Sequence, residues 1–542
     1  MNNINRRSLL LAGLGAAGAG ALAACSSDSN GNAALVSPSG SEVARTEKKR
    51  TGTGKVHGLT LTAAPVTLGL GGGITAKTWG FNGQAPGKEI RVSAGDTLAA
   101  ELSNQLPDKT MTSIHWHGLA LRNDMDGVPP TTQRAVRAGG NFTYRFIADT
   151  PGTYFFHPHV GVQLDRGLYG PLIVEDPKEP LSYDDEWVVV LDDWVDGVTG
   201  TPDEVFAELR QGMAGMGGGA GHGGSSGHDM EDMDGMDGMD MSGGSKHGMH
   251  DSPSPSESSG GMSMKFMMMN ATSKLLGGDA GDVKYPHHLI NGKVAADPDV
   301  FTSKPGKRVR LRIINAGSDT AYRVALGGHE LTITHTDGYP VEHEQVDALL
   351  IGMGERYDVL VTLDRGVFPL VALAEGKGQA GMALVRTGSG DAPPRTVRPK
   401  ELNGRIMAAS QLRASDDVRL PSKKADRVHR ITLTGGMGAY DWGINGKRLD
   451  MNELAANPLR VEAGQRVRLD FVNDTEMWHP MHLHGHTYQL GGAGPRKDTA
   501  IVLPKKKLSV FFDADNPGQW LMHCHNAYHG EAGMMALVAY QR

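Results

Sequence analysis

The chain has 542 residues, enough for several domains of about 150 residues each. Hydrophobic residues make up 39% of the chain and charged residues 21%, as in ordinary soluble globular proteins. The formal net charge of −7 and the lack of a clustered Lys/Arg face argue against nucleic acid as a partner and favour a small or cationic substrate.

The N-terminus predicts an export signal rather than part of the fold. "NRRSLLLAGLGAAGAGALAAC" places two arginines before a weakly hydrophobic run that is too short and too rich in Gly and Ala to span a membrane. Residues 1–25 resemble a twin-arginine signal ending in a lipobox, which implies lipidation of Cys25 and a protein anchored in the cell envelope. A plain secretory signal that removes Cys25 is the alternative. Residues 26–53 are polar and Gly/Ser-rich, and predict a flexible tether.

After the tether, short alternating strands broken by Gly, Pro and Asn predict an all-β chain. Three segments repeat an N-G turn, a Gly-containing spacer and an alternating strand that ends in Asn; one reads "INGKVAADPDVFTSKPGKRVRLRIIN". The repeats predict three related β-sandwich domains. We place these domains at residues 54–178, 179–390 and 428–542, with a linker over 391–427.

A methionine-rich insertion interrupts the second predicted domain at about residues 201–282. Thirteen of the 26 methionines lie between Met213 and Met269, and the segment also contains many Gly and Asp residues and the histidines His222, His228, His247 and His250. Because large apolar side chains are scarce, we predict that much of the insertion is disordered. Thioethers favour Cu(I) over harder ions, so the composition points to copper, with a solubilising low-complexity loop as the alternative.

The stretch "HCHNAYHGEAGM" at residues 523–534 concentrates possible metal ligands near the C-terminus. On a strand, His523 and His525 face one side and Cys524 the other, so the strand can serve two sites. A cysteine thiolate with imidazoles and a thioether is the ligand set of a blue-copper centre. Further His-x-His pairs lie in "HWHG", "HPH" and "HPMHLHGH". The four pairs could supply eight imidazoles to one cluster between the first and third domains.

In this order, the four motifs resemble those of three-domain multicopper oxidases, the group of laccases and bacterial cuprous oxidases. The similarity covers the mature chain except the tether and the insertion. It implies cupredoxin-like Greek-key domains that hold four copper ions. The implied ligands are His479, Cys524, His529 and the weak axial Met534 for type 1 copper; His115 and His482 for type 2 copper; and, for the type 3 pair, His117, His157 and His525 on one ion and His159, His484 and His523 on the other.

The resemblance also implies the reaction. The type 1 site takes single electrons from a substrate, and these pass through Cys524 and its neighbouring histidines to the other three ions, where O₂ is reduced to water. Asp126, in "RNDMDGVPP", matches the family's acidic residue near the cluster and is the predicted proton donor, with an ordinary Asp-Gly turn as the alternative. A second acidic residue of some members is replaced by Gly530, next to Glu531.

Three classes of electron donor are compatible with these motifs: Cu(I), other reduced metal ions, and phenols or aromatic amines. Met477 and Glu476, close to His479, are the predicted Cu(I) ligands, although Thr475 stands where cuprous oxidases of the family carry Asp. With the insertion, they favour a cuprous oxidase that provides copper tolerance over a laccase-type enzyme. A copper-storage lipoprotein is the non-enzymatic alternative, but the full set of ten histidines and one cysteine argues for an enzyme.

Overall fold

The computed structural model describes residues 34–212 and 264–542, which fold into three β-sandwich domains with few helices. The predicted all-β class and the three cupredoxin-like Greek-key sandwiches are confirmed. Successive side chains of the strands alternate between the core and the outer face. Along Asp96–Asn104, for example, buried residues alternate with half-buried ones, so one face of the strand packs inward. The predicted signal and Cys25 lie outside the described residues.

The first sandwich contains strands β1 (Val56–Gly71), β2 (Ile74–Phe81), β3 (Ile90–Ser93), β4 (Asp96–Asn104), β5 (His115–His117), β6 (Asn141–Ala148), β7 (Gly152–His157) and β8 (Gly170–Glu175). They form two four-stranded sheets, ordered β2-β1-β4-β6 and β3-β8-β7-β5. The first long strand, β1, pairs antiparallel with β2 and parallel with β4.

The middle sandwich contains β9 (Asp185–Trp194), β10 (Thr272–Ser273), β11 (Gly278–Asp279), β12 (His287–Ile290), β13 (Lys293–Val294), β14 (Val300–Thr302), β15 (Arg308–Asn315), β16 (Tyr322–Leu326), β17 (Leu331–Thr336), β18 (Tyr339–Val346), β19 (Ala348–Ile351), β20 (Arg356–Thr362), β21 (Val367–Ala374), β22 (Ala380–Arg386) and β23 (Ile406–Met407). The two large sheets are ordered β13-β12-β9-β15-β20-β17-β18 and β14-β22-β21-β16-β19-β23. Strands β10 and β11 form a separate pair.

The third sandwich contains β24 (Arg427–Thr434), β25 (Gly443–Ile444), β26 (Leu459–Val461), β27 (Arg466–Asn473), β28 (His479–Leu483), β29 (Tyr488–Leu490), β30 (Arg496–Lys497), β31 (Thr499–Val502), β32 (Lys507–Asp513), β33 (Gln519–Cys524) and β34 (Met535–Tyr540). Its sheets are ordered β25-β24-β27-β32-β29-β30 and β26-β34-β33-β28-β31.

Three α-helices occur in the described ranges: α1 (Ser41–Glu47), α2 (Pro202–Gln211) and α3 (Ala527–Ala532). None of the helices in residues 34–212 and 264–542 has the length and apolar character needed to cross a membrane. Helix α3 follows β33 directly, and the Asn526 side chain caps it by accepting from the N–H groups of Tyr528 and His529. This cap fixes the backbone of the "HCHNAYH" motif.

The predicted flexible tether is wrong for residues 34–53. The N–H of Val36 donates to the Tyr540 carbonyl at 2.8 Å, so this segment pairs with the last strand of the third domain. Val36 is 3% exposed, and Val43 on α1 is 2% exposed. Two buried valines hold a segment whose other residues are mostly polar, and composition alone concealed them.

Both described ends of the predicted insertion also belong to the fold. On α2, the Glu208 carboxylate accepts from three backbone N–H groups of the returning chain, those of Lys265, Phe266 and Met267, at 3.0, 2.7 and 2.8 Å. The disorder predicted for much of the insertion therefore does not extend to residues 201–212 and 264–282. Residues 213–263, with the four histidines of the insertion, lie outside the described residues.

Candidate metal centre

Two strand pairs carry the predicted histidine motifs to the boundary between the first and third domains. In the first domain β5 pairs with β7, which places His115 opposite His157. In the third domain β28 pairs with β33, which places His482 opposite His523 and Met481 opposite Cys524. Because side chains alternate along each strand, the histidines gather on one side while Cys524 faces the other.

Cys524, His479 and His529 form the first group of possible ligands. The Cys524 Sγ atom lies 3.6 Å from His479 Nδ1 and 3.7 Å from His529 Nδ1, and these nitrogens are 3.1 Å apart. All three side chains are fully buried, as is Met534. The Met534 carbonyl accepts from the Cys524 N–H at 3.0 Å, which holds the methionine beside the group. One sulfur and two imidazole nitrogens facing one point suit a copper ion.

The outer nitrogens of these two histidines also have partners. His479 Nε2 lies 2.9 Å from Thr475 Oγ1, and His529 Nε2 lies 2.8 Å from Asp282 Oδ2. Such partners fix the orientation of metal-binding rings. Burial opposes a charge on His529, but the Asp282 carboxylate outweighs burial and raises the pKa of His529 to about 10. The sequence analysis missed Asp282, which is 247 positions from His529.

The remaining eight predicted histidines form a second cluster. Their ligand atoms lie within 4.8 Å of one another in three groups: His115, His117 and His482; His117, His157 and His525; and His159, His484 and His523. Within the third group, His523 Nε2 lies 3.2 Å from His484 Nε2 and 3.5 Å from His159 Nε2. The structure therefore brings together all eight imidazoles predicted for one cluster.

Unpartnered nitrogens show that this cluster fits metal ions. The following buried nitrogens have no hydrogen-bond partner: His115 Nε2, His117 Nδ1, His157 Nε2, His482 Nε2 and both nitrogens of His525. Each unsatisfied buried nitrogen costs roughly 1–3 kcal/mol, which a bound ion would offset. Burial is the main cause that lowers the pKa of His157 and His525, and the neighbouring imidazole rings lower it further. The same causes lower the pKa of His523 to about 3. Neutral imidazole is the form that binds a metal.

Two buried aspartates hold these rings from outside. Asp126, the predicted proton donor, is 1% exposed; its Oδ2 lies 3.0 Å from His484 Nδ1, and its carbonyl lies 2.9 Å from His115 Nδ1. Asp498, which the sequence analysis missed, has Oδ1 3.0 Å from His117 Nε2 and its carbonyl 3.0 Å from His482 Nδ1. Each aspartate thus contacts one histidine of the first domain and one of the third.

A cavity of about 830 Å³ leads from the surface to the eight-histidine cluster. Four cluster histidines line it, namely His157, His159, His523 and His525. His159 is partly exposed as a result. Gly530 and Glu531 lie on its wall, where burial raises the pKa of Glu531. The cavity is large enough to admit small molecules to these four histidines.

The structure does not bring the two predicted Cu(I) ligands together. Met477 is 3% exposed, within the core, and its backbone pairs with Asp279. The Glu476 side chain is 84% exposed and binds Lys505 Nζ at 2.7 Å. These neighbours face opposite directions because consecutive residues of extended chain alternate. The burial of Met477 and the exposure of Glu476 therefore argue against a joint site for one ion at this pair.

An all-β chain with a thiolate-imidazole group beside an eight-histidine cluster has the features of a copper-dependent oxidase. Profiles described as "Multicopper oxidase" match residues 63–179, 267–389 and 423–542. The chain is 44% identical to multicopper oxidase MmcO of Mycobacterium tuberculosis, over 99% of this chain and 96% of that protein. It belongs to the multicopper oxidase family.

Further relatives are more distant. A copper resistance protein A homolog of Pseudomonas syringae is 29% identical, over 90% of this chain and 93% of that protein. The solved laccase of Botrytis aclada shares the fold with a TM-score of 0.68 at 24% identity, over 91% of this chain and 90% of that chain. Multicopper oxidases bind four copper ions, one of type 1, one of type 2 and two of type 3, and reduce O₂ to water. The predicted enzyme class and cofactors are confirmed.

Proposed function

We propose that the protein is a cuprous oxidase that oxidises Cu(I) and reduces O₂ to water. The bound coppers supply the one-electron oxidation of the donor and the four-electron reduction of O₂. We assign the Cys524 group with Met534 to type 1 copper, His115 and His482 to type 2 copper, and the six other cluster histidines to the type 3 pair. The distances between ligand atoms support this assignment.

We assign proton supply to Asp126. Its carboxyl group is buried next to His484. Its Oδ1 lies 3.2 Å from His115 Nδ1 but makes no hydrogen bond in the described structure, so that oxygen can hold a proton. The cavity reaches His159 and His523, whose rings lie next to His484, the histidine that the Asp126 carboxylate contacts. A positioned acid of this kind contributes about 10²–10⁴-fold to proton-coupled steps.

The choice of Cu(I) depends on where the methionine-rich segment leaves and rejoins the fold. Phe206 on α2, just before the segment, lies 6.2 Å from the Tyr528 ring, centroid to centroid. Asp282, after the segment, contacts His529. The chain on both sides of the segment therefore contacts the stretch that carries Tyr528 and His529, and residues 213–263 contain nine methionines. Thioethers held at this place would raise the local concentration of Cu(I).

The covering of the type 1 histidines also favours a small donor. His479 and His529 are fully buried, and their outer nitrogens contact Thr475 and Asp282. A phenol ring cannot replace these contacts without moving the protein. The name of the Pseudomonas syringae relative, a copper resistance protein, is consistent with a copper substrate.

The test is initial O₂ uptake by the copper-loaded protein with chelator-buffered Cu(I) and, separately, with a dimethoxyphenol. We expect a higher kcat/KM for Cu(I). The Cys524→Ser variant at equal concentration measures non-enzymatic oxidation of Cu(I). Uptake with the phenol alone would favour a laccase, and no uptake with either donor would favour a copper-storage protein.

We also propose that the protein is exported and anchored in the cell envelope through a lipid on Cys25. The twin-arginine signal and the "LAAC" sequence support this location. Metabolic labelling with a fatty-acid analogue should mark the parent but not Cys25→Ser. Label on neither protein would mean that the signal is removed together with Cys25.

A further inference from the structure

One arginine of the middle domain joins the three domains next to the histidine cluster. Arg356, the first residue of β20, is fully buried. Its Nη1 and Nη2 atoms donate to Asp498 Oδ1 and Oδ2, both at 2.7 Å. Its Nε donates to the Thr153 carbonyl of the first domain at 3.0 Å. A bidentate pair of this kind fixes the plane of the carboxylate.

The fixed carboxylate in turn contacts two cluster histidines. Asp498 Oδ1 lies 3.0 Å from His117 Nε2 and 3.4 Å from His482 Nδ1. The opposite nitrogens, His117 Nδ1 and His482 Nε2, are the unpartnered ones that face the cluster. Asp498 therefore holds both rings from the side away from the metal.

The glycine of the "HWHG" motif leaves room for this arrangement. Gly118 has φ +90°, and a Cβ there would overlap Arg356 Nη2 and approach Asp498 Oδ2. Any other residue would displace the guanidinium, the carboxylate or both. The motif next to His117 is thus shaped to admit an arginine from another domain.

We propose that Arg356 is a positioning residue for the type 2 copper, acting through Asp498 on the type 2 ligand His482. The same carboxylate also contacts the neighbouring type 3 ligand His117. The proposal relies on the ligand assignment given under Proposed function. The metal-ligand groups found in the described ranges include no residue of the middle domain. Through Arg356, that domain nevertheless controls the geometry of the cluster between the other two.

Arg356→Lys separates charge from geometry. Lysine keeps the positive charge but cannot donate to both carboxylate oxygens in one plane. Loss of such an outer partner weakens metal binding by about 10- to 100-fold. We expect mild chelation to remove the type 2 copper from the variant, with loss of its electron paramagnetic resonance signal and retention of the blue type 1 absorption.

Arg310→Lys is the matched control. Arg310 lies on β15, next to β20, is 2% exposed and donates to Asp358 Oδ2 through Nε and Nη2 at 3.1 and 2.5 Å. It lacks a cluster histidine among its contacts in the described part of the chain. Arg310→Lys should lower the melting temperature comparably but retain four coppers under the same chelation.

Asp498→Asn is the second variant and should reproduce the selective loss of type 2 copper. Because Arg356 acts through Asp498, the double variant should lose no more than Asp498→Asn alone. The proposal would be overturned if Arg356→Lys and Arg310→Lys retained type 2 copper equally. Additive losses of type 2 copper in the double variant would also overturn it. A parent protein without a type 2 signal would instead refute the ligand assignment.

Discussion

At the scale of single residues, Cys524 can be tested by exchanging one atom. Cys524→Ser replaces sulfur by oxygen within the same buried volume, and the backbone pairing of β33 with β28 and β34 does not involve the side chain. We expect loss of the blue absorption and of turnover, with the melting temperature nearly unchanged. The histidine cluster should keep its copper, measured as metal per chain. A variant that stayed blue would place the thiolate ligand elsewhere.

Asp126→Asn tests the proton donor. Asparagine keeps the shape of the side chain but cannot carry the proton. We expect reduction of the type 1 site by substrate to be unchanged and reoxidation by O₂ to slow by about 10²-fold or more. Stopped-flow absorption at the blue band measures both steps.

Asp124→Asn is the control for Asp126→Asn. Asp124 lies in the same short turn, where it pairs with Arg122 at 2.6 Å. The reoxidation rate of the Asp124→Asn variant should match that of the parent protein. Equal rates for parent and Asp126→Asn would return Asp126 to a purely structural role in its turn.

Sequence reasoning succeeds for residues whose geometry is local. His523, Cys524 and His525 could be divided between two sites because alternation along a strand depends only on neighbouring residues. Asp498 and Asp282 could not be predicted. Their histidine partners are 381 and 247 positions away, and tertiary packing alone creates these contacts.

At the scale of elements, apolar alternation predicted the strands, but composition gave the wrong prediction for the segments beside them. Residues 34–53 look like a linker because they contain few large apolar side chains. The two ends of the insertion look like linkers because they border a stretch rich in Gly, Met and Asp. A few specific contacts nevertheless order them, such as buried Val43 and the Glu208 carboxylate. Average composition does not register single contacts of this kind.

The methionine-rich segment is tested by replacing residues 213–263 with a short Gly-Ser linker between Gly212 and Met264. This deletion keeps the contacts of Glu208 with the returning chain. We expect a lower rate of Cu(I) oxidation at low free Cu(I), because the local supply of thioether-bound ion is lost. Phenol oxidation should be unchanged or faster. O₂ uptake across a series of buffered Cu(I) concentrations measures the effect.

A second variant of this segment separates thioether chemistry from chain length. In it, the nine methionines of residues 213–263 are changed to serine and the length is kept. It should behave like the deletion. If it oxidises Cu(I) like the parent at every concentration, the thioethers do not gather substrate, and a laccase-type function becomes the better proposal.

At the scale of the whole molecule, the internal repeats predicted three sandwiches, and the order of the histidine motifs predicted a cluster between the first and third. The role of the middle domain could not be predicted. Arg356 lies in an ordinary alternating strand, and no pattern around it marks a contact with Asp498. The assembly of the three domains creates this part of the site.

Copper removal should make the whole molecule sensitive to mild acid. Without metal, the buried imidazoles of His157, His523 and His525 favour the neutral form. The pKa of His523 is lowered to about 3, and those of His157 and His525 are also lowered, whereas unfolded histidine titrates near pH 6.5. Between these values the unfolded chain binds more protons, so stability falls as the pH drops below about 6.5. The raised pKa of His529 adds a constant amount to the free energy of unfolding below pH 6.5, because this histidine is then protonated in both the folded and the unfolded chain.

We therefore expect the copper-free protein to lose roughly 1–2 kcal/mol between pH 6.5 and pH 5 through His523 alone, and more through His157 and His525, whose pKa values are also lowered. The copper-loaded protein should lose less, because metal-bound nitrogens cannot take up protons until the ions leave. Thermal unfolding of both forms at several pH values in this interval measures the difference. The Asp358 carboxylate does not add to the pH dependence of stability in this interval. Arg310 and Arg312 outweigh its burial and keep its pKa low, so it stays ionised throughout. Parallel losses in the two forms would show that groups other than the cluster histidines set the stability of the molecule in acid.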